Sequence, residues 1–178
     1  EHTDQHTGHN DTDQDSYTVT RATADQYGLA EIGDLAKLAQ PVKIGANSEF
    51  ATRPYGIPGL RDVYGVEGVV VPIEDSGSAL TVKALVDGDV QVADIYTASP
   101  AIQLNNLVSL ADPKALILPQ NIVPIASEAV DERAADIINA VSAKLGIADL
   151  IAMNTRSVNE QLSSSQIATD WLQAKGLL

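Results

Sequence analysis

Short apolar, β-branched runs alternate with amphipathic stretches through the first two thirds of the chain. That alternation predicts an α/β unit built on a mainly parallel sheet. Tyr17 to Thr20 alternates like a strand, and Thr23 to Tyr27 makes a short helix that Gly28 ends. Ile32 to Ala39 reads as a second helix, with Asp34 in its first turn and Pro41 just beyond it. Val42 to Gly45 is a strand, and Gly68 to Ile73 has the apolar character of a buried parallel strand. Ser78 to Asp87 is an amphipathic helix stopped at Gly88, followed by strands at Val90 to Tyr96 and Leu107 to Leu110. The character changes near Leu118. Ile122 to Ala126 reads as a strand, and three helices follow, Asp131 to Leu145, Ala148 to Val158 and Ser165 to Lys175. Ser127-Glu128 fits a helix start and Gly146 a helix stop. The expected organisation is a polar tail at 1–14, an α/β unit at 15–118, and a strand with C-terminal helices at 119–178, with a hinge near Leu118-Pro119.

Composition narrows what such a unit does. A net charge of −13 argues against nucleic acid, which calls for a basic face, and against anionic lipid. Cysteine is absent, so disulfides and thiol catalysis are excluded. No apolar run reaches the ~18 residues of a membrane span, and no signal peptide opens this stretch of sequence. Residues 1–14 hold no apolar residue and carry all three histidines, His2, His6 and His9, among Asp4, Asp11 and Asp13. A polar tail of this kind has little reason to be helical, so a weak adventitious metal site, or none, is expected there. No cofactor is expected. Outside the tail there is no Ser/His/Asp set, no Gly-rich phosphate loop after a strand and no metal-ligand cluster. Glu74-Asp75 reads as a solvated turn, so an enzyme is not expected.

Four places combine polar or aromatic residues with a strand end: Asp15-Ser16-Tyr17, Arg53, Asp94-Ile95-Tyr96-Thr97, and Pro119-Gln120-Asn121. Ligands of open α/β sheets lie outside the carboxyl ends of strands, which suits Tyr96. A tyrosine face attracts a quaternary ammonium group, and an arginine fork matches a carboxylate. Together these groups would receive a small zwitterion. Taken singly, each has an ordinary role open to it. Arg53 can bond loop carbonyls, Tyr17 and Tyr96 can edge the core, Asp15 can cap a turn, and Asn121 can satisfy hinge backbone.

The joint pattern resembles the substrate-binding proteins of osmoprotectant (glycine betaine, choline, carnitine) ABC transporters. The segment from Ser48 through Phe50, Arg53, Gly56, Gly59-Leu60 and Tyr64-Gly65 is similar to that family's "S-x-F-x-x-R-x-x-G-x-x-G-L-x-x-x-Y-G". Ala22 to Ala39, Asp94 to Ser99, Ala111 to Ile125 and the ending from Trp171 to Leu178 resemble further family segments. The resemblance implies a type II periplasmic-binding-protein-like fold. Residues 15–118 would be its second lobe, and 119–178 the hinge strand and C-terminal helices of its first. It implies capture of a small zwitterionic or quaternary-amine solute for delivery to an ABC permease, outside the cytoplasm, with no catalysis. Solute contacts would come from Asp15, Tyr17, Arg53, Tyr96, Thr97, Gln120 and Asn121, with Tyr17 and Tyr96 offering ring faces. A solute-sensing regulatory domain of the same fold is the alternative.

Two departures from the family shape the expectations. The opening portion of the first lobe is not represented, so the apolar stripes of the C-terminal helices and the strand at Ile122 to Ala126 lack cover. Self-association and weak solute binding by this chain alone are therefore expected. Relatives often carry an aromatic where Gln120 stands, and glutamine suits a more polar solute.

Overall fold

The computed structural model describes residues 12–127 and 129–178. The expected tail site at His2, His6, His9, Asp4 and Asp11 lies outside the described residues, as does Glu128. The chain divides into two compact units, one of residues 14–119 and one of residues 120–178 with the chain preceding Gln14.

The first unit is a five-stranded sheet with helices on both faces. Its elements in order are β1 (Tyr17–Thr20), α1 (Arg21–Tyr27), a 3-10 helix at Ile32–Lys37, β2 (Val42–Ala46), a 3-10 helix at Ser48–Ala51, α2 (Ile57–Tyr64), β3 (Gly68–Pro72), α3 (Ala79–Asp87), β4 (Val92–Asp94), α4 (Ala101–Leu104) and β5 (Leu107–Ser109). The spatial order is β3-β2-β4-β1-β5. β2 runs parallel to β3 and β4, with Ile44 opposite Val70 and Val92. β1 runs antiparallel to both its neighbours, with Tyr17 opposite Asp94 and Val19 opposite Val108. Four strands thus share one direction and β1 opposes them, the mostly parallel sheet that the alternation predicts.

Apolar burial on both faces holds this unit together. On one face Tyr17, Val19, Ile32, Leu35, Val42, Ile44, Phe50 and Leu60 form a continuous core. On the other, Val82 and Leu85 of α3 pack over Ala93, Ile95 and Leu107. Each such aliphatic side chain contributes roughly 1.5–3 kcal/mol when fully buried. The helix stops at Gly28 and Gly88 fall where expected, capping α1 and α3 in the left-handed conformation, and Gly65 ends α2 in the same way, whereas Gly146 precedes α6 as its N-cap.

Several expectations change. Gly68 to Ile73 forms β3 at the sheet edge with Val69 exposed, because β2 is its one strand partner. Ile32 to Lys37 is a 3-10 turn: the Asp34 carboxylate accepts from the Ala30 and Glu31 N–H groups at 2.9 and 3.1 Å, and Leu38 is already extended. Glu74 and Asp75 are more than a solvated turn. Glu74 accepts from the backbone and hydroxyl of Ser48. Asp75 caps α3, accepting from Leu80 N at 2.6 Å and Thr81 Oγ1 at 2.5 Å.

The second unit holds α5 (Glu132–Ser142), α6 (Ile147–Asn159) and α7 (Ser164–Ala174). The Asp131 and Ser163 side chains cap α5 and α7, and Arg156–Asp170 (2.6 Å) and Lys175–Asp149 (2.9 Å) tie α6 to α7. Residues 122–126 do not form the expected strand. Among the described residues the pairing here is a single antiparallel bridge, Thr12 to Asn121, and Ile125 is 98% exposed. β propensity without a neighbouring strand to accept its hydrogen bonds does not make a strand. Ile137 of α5 and Val158 of α6 are also exposed, so the apolar stripes are only partly covered.

Candidate functional site

The directions of the strands fix where chemistry can gather. β2 and β4 end side by side at Ala46 and Asp94, and antiparallel β1 brings its amino end, preceded by Asp15, to the same edge. A pocket opens there, lined by Asp15, Asn47, Glu49, Phe50, Arg53, Tyr55, Ser76, Gly77, Asp94 and Tyr96. It lies at the carboxyl ends of parallel strands, where α/β sheets place their ligands.

The floor of the pocket is acidic. Asp15 is 5% exposed, and its carboxyl is hydrogen-bonded to that of Asp94 and to the Tyr55 hydroxyl. Asp94 also accepts the Ser16 N–H, but its Oδ1 is buried without a hydrogen-bond partner. Burial, the Asp15 charge and the Asp15 hydrogen bond push the Asp94 carboxyl up to about 8. The Asp94 carboxyl therefore keeps its proton at neutral pH. Burial first, then the Asp15 charge and hydrogen bond, pushes the Tyr55 phenol up to about 12. Tyr55 is therefore a neutral donor to Asp15.

The rim is cationic and aromatic. Arg53 follows the Ser48–Ala51 turn and pairs with Glu49 at 3.0 Å, an exposed bond one helical turn long. Exposed pairs of this type contribute little, so a carboxylate can displace Glu49 from the guanidinium. Tyr96 stands beyond the end of β4 and is 40% exposed. The opposite wall is the Ser76-Gly77 turn, locked to Asn47. Asn47 Nδ2 donates to Ser76 Oγ at 3.2 Å, and Ser76 N donates to Asn47 Oδ1 at 3.1 Å. Gly77 adopts φ +73°, and a Cβ there would meet the Asp94 carbonyl at 2.7 Å, so glycine lets this wall approach the carboxyl pair.

The structure brings Asp15, Arg53 and Tyr96 together and puts the other expected site residues elsewhere. Tyr17 was expected to offer a ring face, but it is 1% exposed and packs edge-on against Phe50 with ring centroids 5.6 Å apart. Its position opposite Asp94 on a strand covered by α2 and the Ser48–Ala51 turn turns the ring into the core. Its hydroxyl donates to the carbonyls of Tyr55 (2.8 Å) and Gly56 (3.2 Å) and so holds the loop that carries Arg53. Tyr17→Phe should therefore lower stability by roughly 1–2 kcal/mol in urea titrations. Unchanged stability would show that the hydroxyl does not anchor this loop. Thr97 is also structural, its Oγ1 accepting from Gln14 N at 3.1 Å. Gln120 and Asn121 belong to the other unit, where the Gln120 carbonyl accepts from Asp13 N at 3.2 Å.

Sequence reasoning passed over Asn47, Glu49, Tyr55, Ser76 and Gly77. Tyr55 lies two residues from Arg53 in the motif and carried a usable signal. Asn47 and Ser76 meet only through the fold.

A mostly parallel sheet covered on both faces, with polar and aromatic groups at its strand ends, defines a lobe of the periplasmic-binding-protein-like class. The model of the OpuAC family, described as the substrate-binding domain of ABC-type glycine betaine transport systems, matches residues 2–174, and the chain belongs to this family. Solved structures agree on the fold. A glycine betaine/carnitine/choline ABC transporter protein superposes with a TM-score of 0.78 at 22% identity, covering 93% of this chain and 61% of that one. Apo YehZ from Escherichia coli gives 0.66 at 23% identity, covering 96% and 64%. Lactococcal OpuAC, closed and complexed with glycine betaine, gives 0.59 at 16% identity, covering 95% and 66%. The chain thus spans less than two thirds of the length of each of these relatives.

Proposed function

We propose that the protein captures a small zwitterionic or quaternary-ammonium solute outside the cytoplasm and delivers it to an ABC permease. In this reading the unit of residues 14–119 is the second lobe of a two-lobed receptor. Residues 120–178 and the chain entering at Thr12 and Asp13 supply the hinge side of the first. The adjacent chains at Asp13 and Gln120 support a hinge at that point.

The observation that carries the reading is the separation of charge in the pocket. Arg53 and the Asp15–Asp94 pair, of opposite charge type, line one space together with the rings of Tyr55 and Tyr96. A zwitterion fits this polarity in one orientation, its carboxylate at Arg53 and its ammonium towards the carboxyls and the ring faces. No step of this process breaks a bond of the solute, in keeping with a family of transport receptors.

Calorimetric titration of the intact protein with glycine betaine tests the assignment. Arg53→Ala should weaken binding at least tenfold, and Arg53→Lys should recover little of it, because a point charge lacks the fork. Tyr96→Phe should bind nearly as wild type and Tyr96→Ala should lose roughly 1–2 kcal/mol. Unchanged affinity in both Arg53 variants would remove that residue from the site.

A further inference from the structure

We infer that the Asp15–Asp94 pair makes solute capture proton-linked: the cationic group of the solute takes over the role of a proton held between the two carboxyls, and that proton is released to solvent on binding. The inference deepens the proposed function and rests on it. Its ground is the geometry of the pocket floor. Asp15 is 5% exposed, and its carboxyl is hydrogen-bonded to that of Asp94. Two carboxylates are both acceptors and cannot hydrogen-bond each other without a proton. Asp94 Oδ1 is buried without a hydrogen-bond partner.

Among the described residues, the one cation lining the pocket with the pair is Arg53, which is held by Glu49. On the strand side, the Ile95 N–H goes to the Ser16 carbonyl and the Ser16 hydroxyl to the Ile95 carbonyl. From the loop after β2, the facing groups are Glu49, Arg53 and the Tyr55 hydroxyl, and the Arg53 guanidinium is bonded to Glu49. From β1, Tyr17 presents a neutral phenol whose hydroxyl is bonded to the loop carbonyls. From beyond β4 comes Tyr96. The field at the pair is thus net acidic and favours the protonated form. A permanent cation seated beside the rings reverses this balance and favours the dianion.

The balance is simple. The O–H bond of the shared proton breaks, the proton goes to buffer, and both carboxylates remain to face the bound cation. With the Asp94 carboxyl pushed up to about 8, release of its proton makes affinity rise about tenfold per pH unit below that value and level off above it.

Choline is the probe, because its charge does not titrate. The intact protein is titrated calorimetrically at pH 7 in buffers of different ionisation enthalpy, and the dissociation constant is followed from pH 6 to 9. The expected results are a buffer-dependent heat equal to release of about 0.5–1 proton, and a dissociation constant that falls about tenfold from pH 6 to 7. Asp94→Asn, and separately Asp15→Asn, should abolish both signatures. Binding with buffer-independent heat and a flat pH profile would overturn the linkage while leaving the proposed function standing. No binding of choline, glycine betaine or carnitine at any pH would remove the proposed function and the linkage with it.

Discussion

Replacing Gly56 by alanine is expected to destabilise the protein by roughly 3 kcal/mol or more, among the largest effects of any single methyl group added here. A Cβ at Gly56 would lie 1.9 Å from the Phe50 carbonyl oxygen. That atom is backbone, so relief requires the Ser48–Ala51 turn and α2 to separate. The same turn carries Phe50 into the core and sets Arg53 at the pocket rim. Gly59 has a parallel problem, with the Pro54 carbonyl oxygen 2.0 Å from its added Cβ. Gly65 is the control. It has φ +68° and nothing within 4 Å of an added Cβ, so alanine there meets only the left-handed backbone penalty of about 1–2 kcal/mol. Urea unfolding of the variants should rank Gly56→Ala and Gly59→Ala well below Gly65→Ala. Equal midpoints would refute the close-approach account of this motif.

The second large effect is a change in how stability depends on pH. The Asp94 carboxyl, beside Asp15, binds its proton more tightly in the folded protein, at about 8, than an aspartate does in the unfolded chain, near 3.9. Between these values the folded state holds the extra proton, so stability falls as pH rises, by at most ~1.4 kcal/mol per unit. Below the window both states are protonated, and above it both are ionised. Asp94→Asn removes the titration and keeps the shape. From pH 5 to 9 its stability should therefore fall less than that of the wild type, and the variant should be the more stable protein at pH 9. Thermal unfolding of both proteins across that range decides it. Parallel profiles would mean that the two carboxyls do not share a proton.

These two effects separate what the sequence shows from what only the fold shows. The glycine spacing, the amphipathic pattern of α3 with Val82 and Leu85 inward, and the helix stops at Gly28 and Gly88 are local, and they are legible as residues. The direction of β1 is not, because alternation looks the same in either direction. Yet that direction sets Asp15 beside Asp94, so the acidic floor of the pocket could not be read from the chain. Tyr17 shows the same limit. An aromatic at a strand start looks equally suited to cleft and core, and the covering turn with Phe50 decides between them. At Ile122 to Ala126 the apolar residues are real, but a strand also needs a partner. Arg53 stands out through the glycine spacing of its motif and Tyr96 through its place beyond a strand end, both local features, and the fold sets them on one pocket.

The central claim is that the pocket selects a small zwitterionic or quaternary-ammonium solute. Native mass spectrometry of the intact protein against glycine betaine, choline, carnitine and an uncharged sugar of similar mass tests it most directly. The account predicts a one-to-one adduct with at least one of the three charged solutes, lost in Arg53→Ala for the zwitterions, and no adduct with the sugar. No adduct with any of the three, or an equal adduct with the sugar, would contradict it.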